Sequence, residues 1–215
     1  VHVGDTGCAS AMVALEMAYN HLRTFPAHRA VVVAVEICSA AYFLDERLES
    51  AVAHAIFADG AGAIALAGDG AGPAILEHRT LFRPEHLGAM GFEYPGGRPR
   101  VVLSKDVRRI GAAMLKEMAD LLMASHGLKQ DDIRHWVLHS AGRRVIEQAV
   151  RLLRLDDEQV EPSRAVLKQF GNMSSATVVF VLDEVLRRAQ AVPDDWGLMI
   201  ALGPGFAAEG ALLRW

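Results

Sequence analysis

Residues 1–18, VHVGDTGCASAMVALEMA, decide how the rest of the chain is interpreted. Cys8 lies between a glycine-containing turn, Gly4–Gly7, and a run of good helix formers. A strand, a sharp turn and a helix in this order would put the Cys8 sulfur at a helix N-terminus, where free N–H groups and the helix dipole favour a thiolate. A thiolate is a nucleophile suited to acyl transfer. The competing interpretation is a small buried residue, the usual fate of a free cysteine.

Bulk composition excludes several classes of protein. The chain has 215 residues, 52% of them hydrophobic, which predicts a sizeable core in one large domain or two small ones. A net charge of -4 argues against a nucleic-acid partner. No apolar run is long enough to predict a membrane span. Two cysteines form no disulfide framework, which favours a reducing, cytoplasmic setting.

The beginning of the chain is unusual for a nucleophile turn. Val1 precedes Cys8 by only a few residues, and a strand leading into such a turn needs neighbouring strands. We therefore expect sequence before residue 1 to complete the fold.

Hydrophobic periodicity and turn signals predict an α/β protein. The apolar, β-branched strand at 30–35 is predicted to be buried on both faces, and residues 68–100 are predicted as a long loop or hairpin region. The order strand, helix, strand appears in both halves, which predicts layered α/β units at 1–100 and 101–215. The predicted helices are 9–24, 47–56, 101–125, 142–153 and 175–189, and the predicted strands are 30–35, 63–67, 136–139, 196–202 and 211–215.

Three polar residues occupy similar positions, next to a strand end or a glycine-marked turn. They are Cys8, His139 and Asn172. Alone, a histidine at a strand end is usually structural, and an asparagine beside glycine is usually a turn residue. Together they supply a nucleophile, a base and a neutral hydrogen-bond donor, the minimum set for acyl transfer through a thioester. Most of the other histidines lack metal-ligand spacing, and no metal site is predicted.

The stretches around these residues resemble a known family. Gly7–Ser10, Trp136–Gly142 and Gly171–Ala176 are similar to the catalytic signatures of type III polyketide synthases, the chalcone and stilbene synthase family of the thiolase superfamily. Gly203–Phe206 resembles that family's C-terminal Gly-Pro-Gly loop, and Phe57–Ala61 resembles its Phe-Gly-Asp-Gly-Ala stretch. The resemblance implies a thiolase-like layered αβαβα fold, here lacking much of the N-terminal half.

The same resemblance implies a mechanism. Cys8 would carry the acyl chain, and His139 would stabilise its thiolate as an imidazolium partner. His139 and Asn172 would then donate hydrogen bonds to the thioester oxygen of malonyl-CoA as carbon dioxide leaves. Phe57 would be an aromatic gatekeeper, and Ser174 would line the pocket near Cys8. The substrate-binding residues implied by the resemblance are Phe57, Gly142, Ser174, Gly203, Pro204 and Gly205.

The resemblance also implies partners. The substrates would be malonyl-CoA and an acyl-CoA, with no metal or redox cofactor, in a homodimer. General likeness favours the bacterial type that builds 3,5-dihydroxyphenylacetyl-CoA, an antibiotic precursor. The basic residues that grip the CoA phosphates would precede residue 1.

The sequence departs from the family pattern at several positions. Val101 stands where a second gatekeeper Phe is usual, which would widen the chamber. Cys38 replaces a usual Thr; it would line the pocket or, as we favour, be a buried structural thiol.

Whether His54 faces the chamber is open. The pair Arg143–Arg144 would touch a CoA phosphate or, as we favour, be exposed to solvent.

Two alternatives remain. The first is a ketoacyl carrier-protein synthase III, which would use the same three residues with a carrier-bound substrate. A basic docking surface would favour it, and none is clear in the sequence, whereas Met173–Ser174 favours the polyketide synthase. The second alternative is an inactive fragment that serves as a folding or dimer partner, which the abrupt start favours.

Overall fold

The computed structural model describes residues 1–4, 6–188 and 191–215. Helix and strand bounds in these ranges are as follows. The helices are α1 (Ser10–Thr24), α2 (Leu48–Ile56), α3 (Val107–Ser125), α4 (Arg143–Leu153), α5 (Asp157–Phe170) and α6 (Ser175–Arg188). The strands are β1 (Arg29–Glu36), β2 (Gly60–Ala67), β3 (Ala74–Phe82), β4 (Met90–Glu93), β5 (Arg100–Leu103), β6 (Ile133–Leu138), β7 (Trp196–Gly203) and β8 (Ala207–Arg214).

A four-stranded mixed sheet in the order β3-β8-β7-β6 is the centre of the fold. β6 and β7 run parallel, whereas β8 pairs antiparallel with both β7 and β3. β1 and β2 form a separate antiparallel pair, and so do β4 and β5. The parallel β6–β7 pair is the part of the sheet whose strand ends carry the candidate site, because His139 follows β6 directly.

Each face of the central sheet is covered by helices, as expected for strands that are almost wholly apolar. On one face, Met118 and Leu122 of α3 pack with Trp136 of β6. On the other, Met12 of α1 and Val178 of α6 pack against the sheet. The β1–β2 pair lies beyond α1 and α6, so the described residues form successive helix, sheet, helix and strand layers. This is the predicted α/β thiolase-like layering.

One face of β1 is exposed, which corrects the prediction that this strand is buried on both faces. Val31, Val33 and Val35 are 63–66% exposed, whereas Val32 and Ala34 are buried. α1 and α6 cover only one side of the antiparallel β1–β2 pair, and side chains alternate along a strand. The apolar composition alone did not show which face is covered.

The region 68–106 contains more strand than the sequence indicated. β3 pairs along its length with β8, far away in the chain, and joins the central sheet. Its middle residues Glu77, His78 and Arg79 break the apolar pattern expected of a strand. Val101 lies in β5, and the predicted helix at 101–125 begins only at Val107. β3 also links the predicted unit 1–100 to the sheet of the unit 101–215, and that division stays a prediction.

α5 was not predicted at all. Pro162 lies inside it, and proline normally argues against a helix interior. A capping box between Asp156 and Gln159 was the available signal, since the Asp156 side chain accepts a hydrogen bond from Gln159 N at 2.8 Å.

The other predicted elements are present with shifted ends. α1 begins one residue later than predicted, β2 begins at Gly60 and β8 begins at Ala207. Predicted residues Asp5 and Ala189 lie outside the described residues. Within the described part of the chain, no helix has the length and apolar character that crossing a membrane requires.

Adjacent leucines on α3 provide a test of this packing. Leu122 is fully buried, whereas Leu121 is 38% exposed. We expect Leu122→Ala to lower the free energy of unfolding by about 2–5 kcal/mol, because it leaves a cavity between α3 and the central sheet. Leu121→Ala is the matched control. When both variants are unfolded with urea, it should lower the free energy of unfolding clearly less than Leu122→Ala does. Equal losses would contradict the described orientation of α3.

Candidate active site

Cys8 lies at the start of α1, as predicted. It belongs to a short 3-10 turn, Gly7–Ala9, that leads directly into the helix. Gly7 has a φ of +52°, and a Cβ at this residue would lie 2.4 Å from Pro204 Cδ. A Cβ on Gly203 would lie 2.7 Å from the Thr6 carbonyl oxygen. The Gly-Pro-Gly loop is therefore packed directly against the turn that carries the thiol.

His139 and Asn172 are buried and in contact. His139 directly follows β6, and its backbone N–H donates to the Ile200 carbonyl of β7 at 2.9 Å. Asn172 lies between α5 and α6, and its backbone pairs with the Phe57 region through Ala58 N and Ile56 O. His139 Nε2 is 3.2 Å from Asn172 Oδ1. The fold thus brings together two residues that the sequence assigned to one site.

Ser174 connects this pair to the thiol. Its backbone N–H donates to Asn172 Oδ1 at 3.0 Å, and its side chain lines the same cavity as Cys8, where it lowers the pKa of the thiol. Thr177 Oγ1 is a second donor to Asn172 Oδ1, at 3.3 Å. Because Oδ1 already accepts these bonds, the Asn172 NH₂ group is the part of the amide left to donate to a ligand.

Burial sets the protonation of both reactive groups. Burial raises the pKa of the Cys8 thiol to about 11; the nearby Glu36 carboxylate adds to the rise, and the Ser174 hydrogen bond opposes it. Burial lowers the pKa of the His139 imidazole to about 4, against smaller opposing contributions from the Asn172 side chain and the Ser174 backbone. Both shifts favour the neutral forms, the thiol of Cys8 and the uncharged imidazole of His139. This direction is opposite to the thiolate predicted from the helix N-terminus, because burial is the largest of the effects on the pKa of Cys8.

A cavity of about 200 Å³ opens beside Cys8. Its walls are mainly apolar, with Ala53, Met90 and Leu103 among them. Of the predicted site residues, Cys8, Phe57, Ser174 and Pro204 line it. His139, Asn172, Gly142, Gly203 and Gly205 are not among its lining residues.

The three glycines have structural positions in the fold. Gly142 precedes the first residue of α4 with a φ of +151°. Gly203 approaches the nucleophile turn as described above, and Gly205 N–H donates to the Met90 carbonyl of β4 at 3.2 Å. Their role in substrate binding stays a prediction.

The residues that line the cavity answer the questions that the sequence left open about three positions. Val101, Cys38 and His54 all line it. The favoured interpretation of Cys38 as a buried structural thiol is therefore wrong, because Cys38 is partly exposed and lines the cavity. His54 is held in place because its Nε2 accepts a hydrogen bond from Phe43 N at 3.0 Å.

Sequence reasoning missed several lining residues, of which Glu36 is the most consequential. Glu36 Oε1 accepts hydrogen bonds from the backbone and hydroxyl of Ser175 at the start of α6. It lies at the C-terminal end of an apolar strand, the same signal that identified His139. Among the other missed lining residues are Ile37, Tyr42, Met90, Phe92 and Leu103.

The layered fold, with a cysteine at a helix start and a buried His–Asn pair connected to it, defines the class of thiolase-like proteins. Residues 99–215 match the family model described as chalcone and stilbene synthases, C-terminal domain. Residues 5–91 match the model described as 3-oxoacyl-[acyl-carrier-protein] synthase III. The chain belongs to the chalcone and stilbene synthase family, the type III polyketide synthases.

Individual relatives agree with this family. The chain is 33% identical to a 3,5-dihydroxyphenylacetyl-CoA synthase of Streptomyces toyocaensis, over 97% of this chain and 56% of that protein. It is 34% identical to a 1,3,6,8-tetrahydroxynaphthalene synthase of Streptomyces peucetius subsp. caesius, over 100% of this chain and 59% of the relative. The crystal structure of 1,3,6,8-tetrahydroxynaphthalene synthase from Streptomyces coelicolor A3(2) matches with a TM-score of 0.90 at 26% identity, covering 99% and 62% of the two chains. The chain thus spans somewhat more than half the length of these relatives.

The raised thiol pKa predicts how Cys8 reacts with an alkylating agent. In a Cys38→Ser background, where Cys8 is the remaining cysteine, we expect the iodoacetamide rate to keep rising with pH through 9 and 10, since the pKa is about 11. Ser174→Ala should slow alkylation at each pH, because the hydrogen bond that lowers this pKa is lost. A rate plateau below pH 8 would show instead that Cys8 is a standing thiolate.

The contact between the Gly-Pro-Gly loop and the nucleophile turn gives a second prediction. A Cβ at Gly203 would meet Thr6 O at 2.7 Å and Ala9 Cβ at 2.8 Å. We expect Gly203→Ala to cost about 1–3 kcal/mol of unfolding free energy, as overpacking does. Gly88→Ala, where no atom lies within 4 Å of the added Cβ, is the control and should be near neutral. Equal stability of the two variants would refute the close contact.

Proposed function

We propose that the chain catalyses the decarboxylative condensation of malonyl-CoA units onto an acyl chain held as a thioester on Cys8, giving a polyketide. One observation carries the proposal. Cys8 and Ser174 line the same mainly apolar cavity, and hydrogen bonds join Ser174 to Asn172 and Asn172 to His139. Membership of the family supports it.

The first step loads the enzyme. The Cys8 sulfur attacks the carbonyl carbon of an acyl-CoA, its proton passes to His139, and CoA leaves as the thiol. Both groups are neutral at rest. The sulfur anion therefore forms only during this attack, when the carbonyl group of the bound substrate takes up its negative charge.

The second step makes and uses a carbon nucleophile. Malonyl-CoA loses carbon dioxide, and the electron pair of the broken C–C bond forms an enolate. The NH₂ of Asn172 would donate to the enolate oxygen together with the N–H of His139, which faces Asn172 Oδ1 in the free protein and would change partner, a form of oxyanion stabilisation. The enolate carbon attacks the Cys8 thioester, the C–S bond breaks, and the chain grows by two carbons. No external electron acceptor is required, because the carboxylate carbon leaves as carbon dioxide and the electron pair of the broken bond stays on the enolate.

The chamber would set the product. Phe57 and Val101 both line the cavity, and Val101 would leave more room than the Phe that is usual at its position. We extend the proposal to 3,5-dihydroxyphenylacetyl-CoA as the product. Support for this comes from the relative of that name at 33% identity, while a tetrahydroxynaphthalene synthase at 34% identity defines the main competing product.

A carrier-protein substrate is the second candidate function. Four exposed arginines, Arg108, Arg143, Arg144 and Arg151, surround one surface depression on α3 and α4, and within the described ranges none of them forms an ion pair. The sequence suggested no such basic surface. This cluster, together with the match of residues 5–91 to synthase III, favours an acidic acyl carrier protein as donor.

We also propose a homodimer in the cytoplasm. The dimer rests on the family, and the cytoplasm rests on the two free thiols, Cys8 and Cys38. Light scattering after size exclusion tests the dimer.

Radiolabelled malonyl-CoA tests the division of labour among the residues. Cys8→Ala should abolish condensation yet leave measurable carbon dioxide release, since His139 and Asn172 remain. Asn172→Ala should lower both activities roughly 100- to 1,000-fold, because it removes an enolate donor. Cys38→Ser, the matched cysteine control, should keep condensing.

Three outcomes separate the candidates. Turnover of malonyl-CoA with a Cys8-dependent product supports the polyketide synthase. Turnover of malonyl carrier protein alone supports the second candidate. No turnover and no labelling of Cys8 from either donor would make the chain a non-catalytic folding or dimer partner. Equal loss of both activities in Cys8→Ala would contradict the proposed roles.

A further inference from the structure

Three titratable side chains meet outside the cavity of the candidate active site. Glu16 comes from α1, His78 from β3 and Glu209 from β8. His78 Nδ1 is 3.5 Å from Glu16 Oε2, and His78 Nε2 is 3.8 Å from Glu209 Oε2. One donor atom from each residue lies within 4.8 Å of the other two. None of these residues has a part in the proposed condensation.

His78 is buried without a partner. Its side chain is only 2% exposed, and in the described part of the chain neither ring nitrogen finds a hydrogen bond. Leaving a buried polar group unpaired costs free energy, and few native groups are left so. Such a side chain, directed at two carboxylates, indicates a missing ligand.

The two carboxylates also lack a permanent cation. Among the described residues, no Lys or Arg nitrogen lies within 4.0 Å of Glu16 or Glu209, and His78 is the group that each approaches. Burial raises the pKa of Glu209 to about 7, although a hydrogen bond from Thr80 opposes the rise. A divalent cation would neutralise both carboxylates and use the free imidazole nitrogen at once.

We propose that Glu16, His78 and Glu209 bind a divalent transition-metal ion, of which Zn²⁺ fits best. Imidazole and carboxylate ligands suit zinc, whereas Ca²⁺ and Mg²⁺ prefer an all-oxygen shell. With zinc–ligand bonds of about 2.1 Å, two donor atoms of a tetrahedral site lie roughly 3.4 Å apart. The donor atoms of the three residues lie within 4.8 Å of one another, so small side-chain shifts would bring them to that spacing. A water fills the fourth position.

The surroundings suit such a site. Thr80 Oγ1 donates to Glu209 Oε2 at 2.7 Å and orients that carboxylate, as second-shell partners of metal ligands do. The Glu16 side chain is 37% exposed, which gives an ion a path from solvent and gives the carboxylate room to rotate.

The consequence is mechanical. The ion would tie α1 to two strands of the central sheet, roughly 12 Å along the helix from Cys8. It would hold the helix that directly follows the turn carrying the thiol, without touching the cavity. Metal binding by these three residues does not depend on the proposed condensation.

Metal binding is tested on the full chain after treatment with a chelator. Calorimetric titration with Zn²⁺ should give one equivalent and a higher melting temperature, whereas Mg²⁺ and Ca²⁺ should change neither. Co²⁺ should give a tetrahedral absorption spectrum without thiolate charge transfer, which separates this site from Cys8 and Cys38.

Variants assign the site. We expect Glu16→Gln and His78→Gln each to weaken Zn²⁺ binding by about 100-fold or more, since loss of a residue that only supports a metal ligand already costs 10- to 100-fold in affinity. Glu16 is partly exposed, so the first of these variants should fold. His126→Gln is the control: His126 lies 2.8 Å from Glu77 near the surface and should leave binding unchanged. Absence of stoichiometric binding, or equal affinity in wild type and Glu16→Gln, would overturn the proposal.

Discussion

The contact between the end of β7 and the turn that carries Cys8 is the constraint on which the site depends. Two glycines make it possible, Gly203 on the strand side and Gly7 on the turn side, because a Cβ at either would overlap the other segment. The first turn of α1 is thereby fixed to the central sheet. β7 also pairs with β6, whose end carries His139. One strand pair therefore relates the thiol to the imidazole.

Burial gives this site its chemical character. A thiol with a raised pKa and an imidazole with a lowered pKa hold no charge at rest, so the protein does not have to stabilise an ion pair in a mainly apolar cavity. Charge appears only with substrate, on sulfur during loading and on the enolate oxygen during condensation. Preorganised donors are most effective where apolar surroundings lower the local dielectric constant. Glu36, which opposes any negative charge on Cys8, strengthens this dependence on substrate.

Sequence reasoning succeeded where local signals and function coincide. Cys8, His139 and Asn172 each stand beside a strand end or a glycine turn, and their association required only the α/β layering that the apolar strands already predicted. It failed where long-range pairing decides structure. β3 looks irregular along its own sequence and is ordered by β8, and α5 contains a proline that its capping box and packing overcome. Likewise, Glu16, His78 and Glu209 are far apart in the chain, and only the fold brings them together.

The central claim is that Cys8 is the residue that becomes acylated. The most direct measurement is mass spectrometry of proteolytic peptides after brief incubation with acyl-CoA substrates and acid quenching. The account predicts a thioester adduct on the peptide that contains Cys8, its loss in His139→Ala, and an unmodified Cys38 peptide. An adduct on Cys38 alone, or none on either cysteine while polyketide product accumulates, would contradict it.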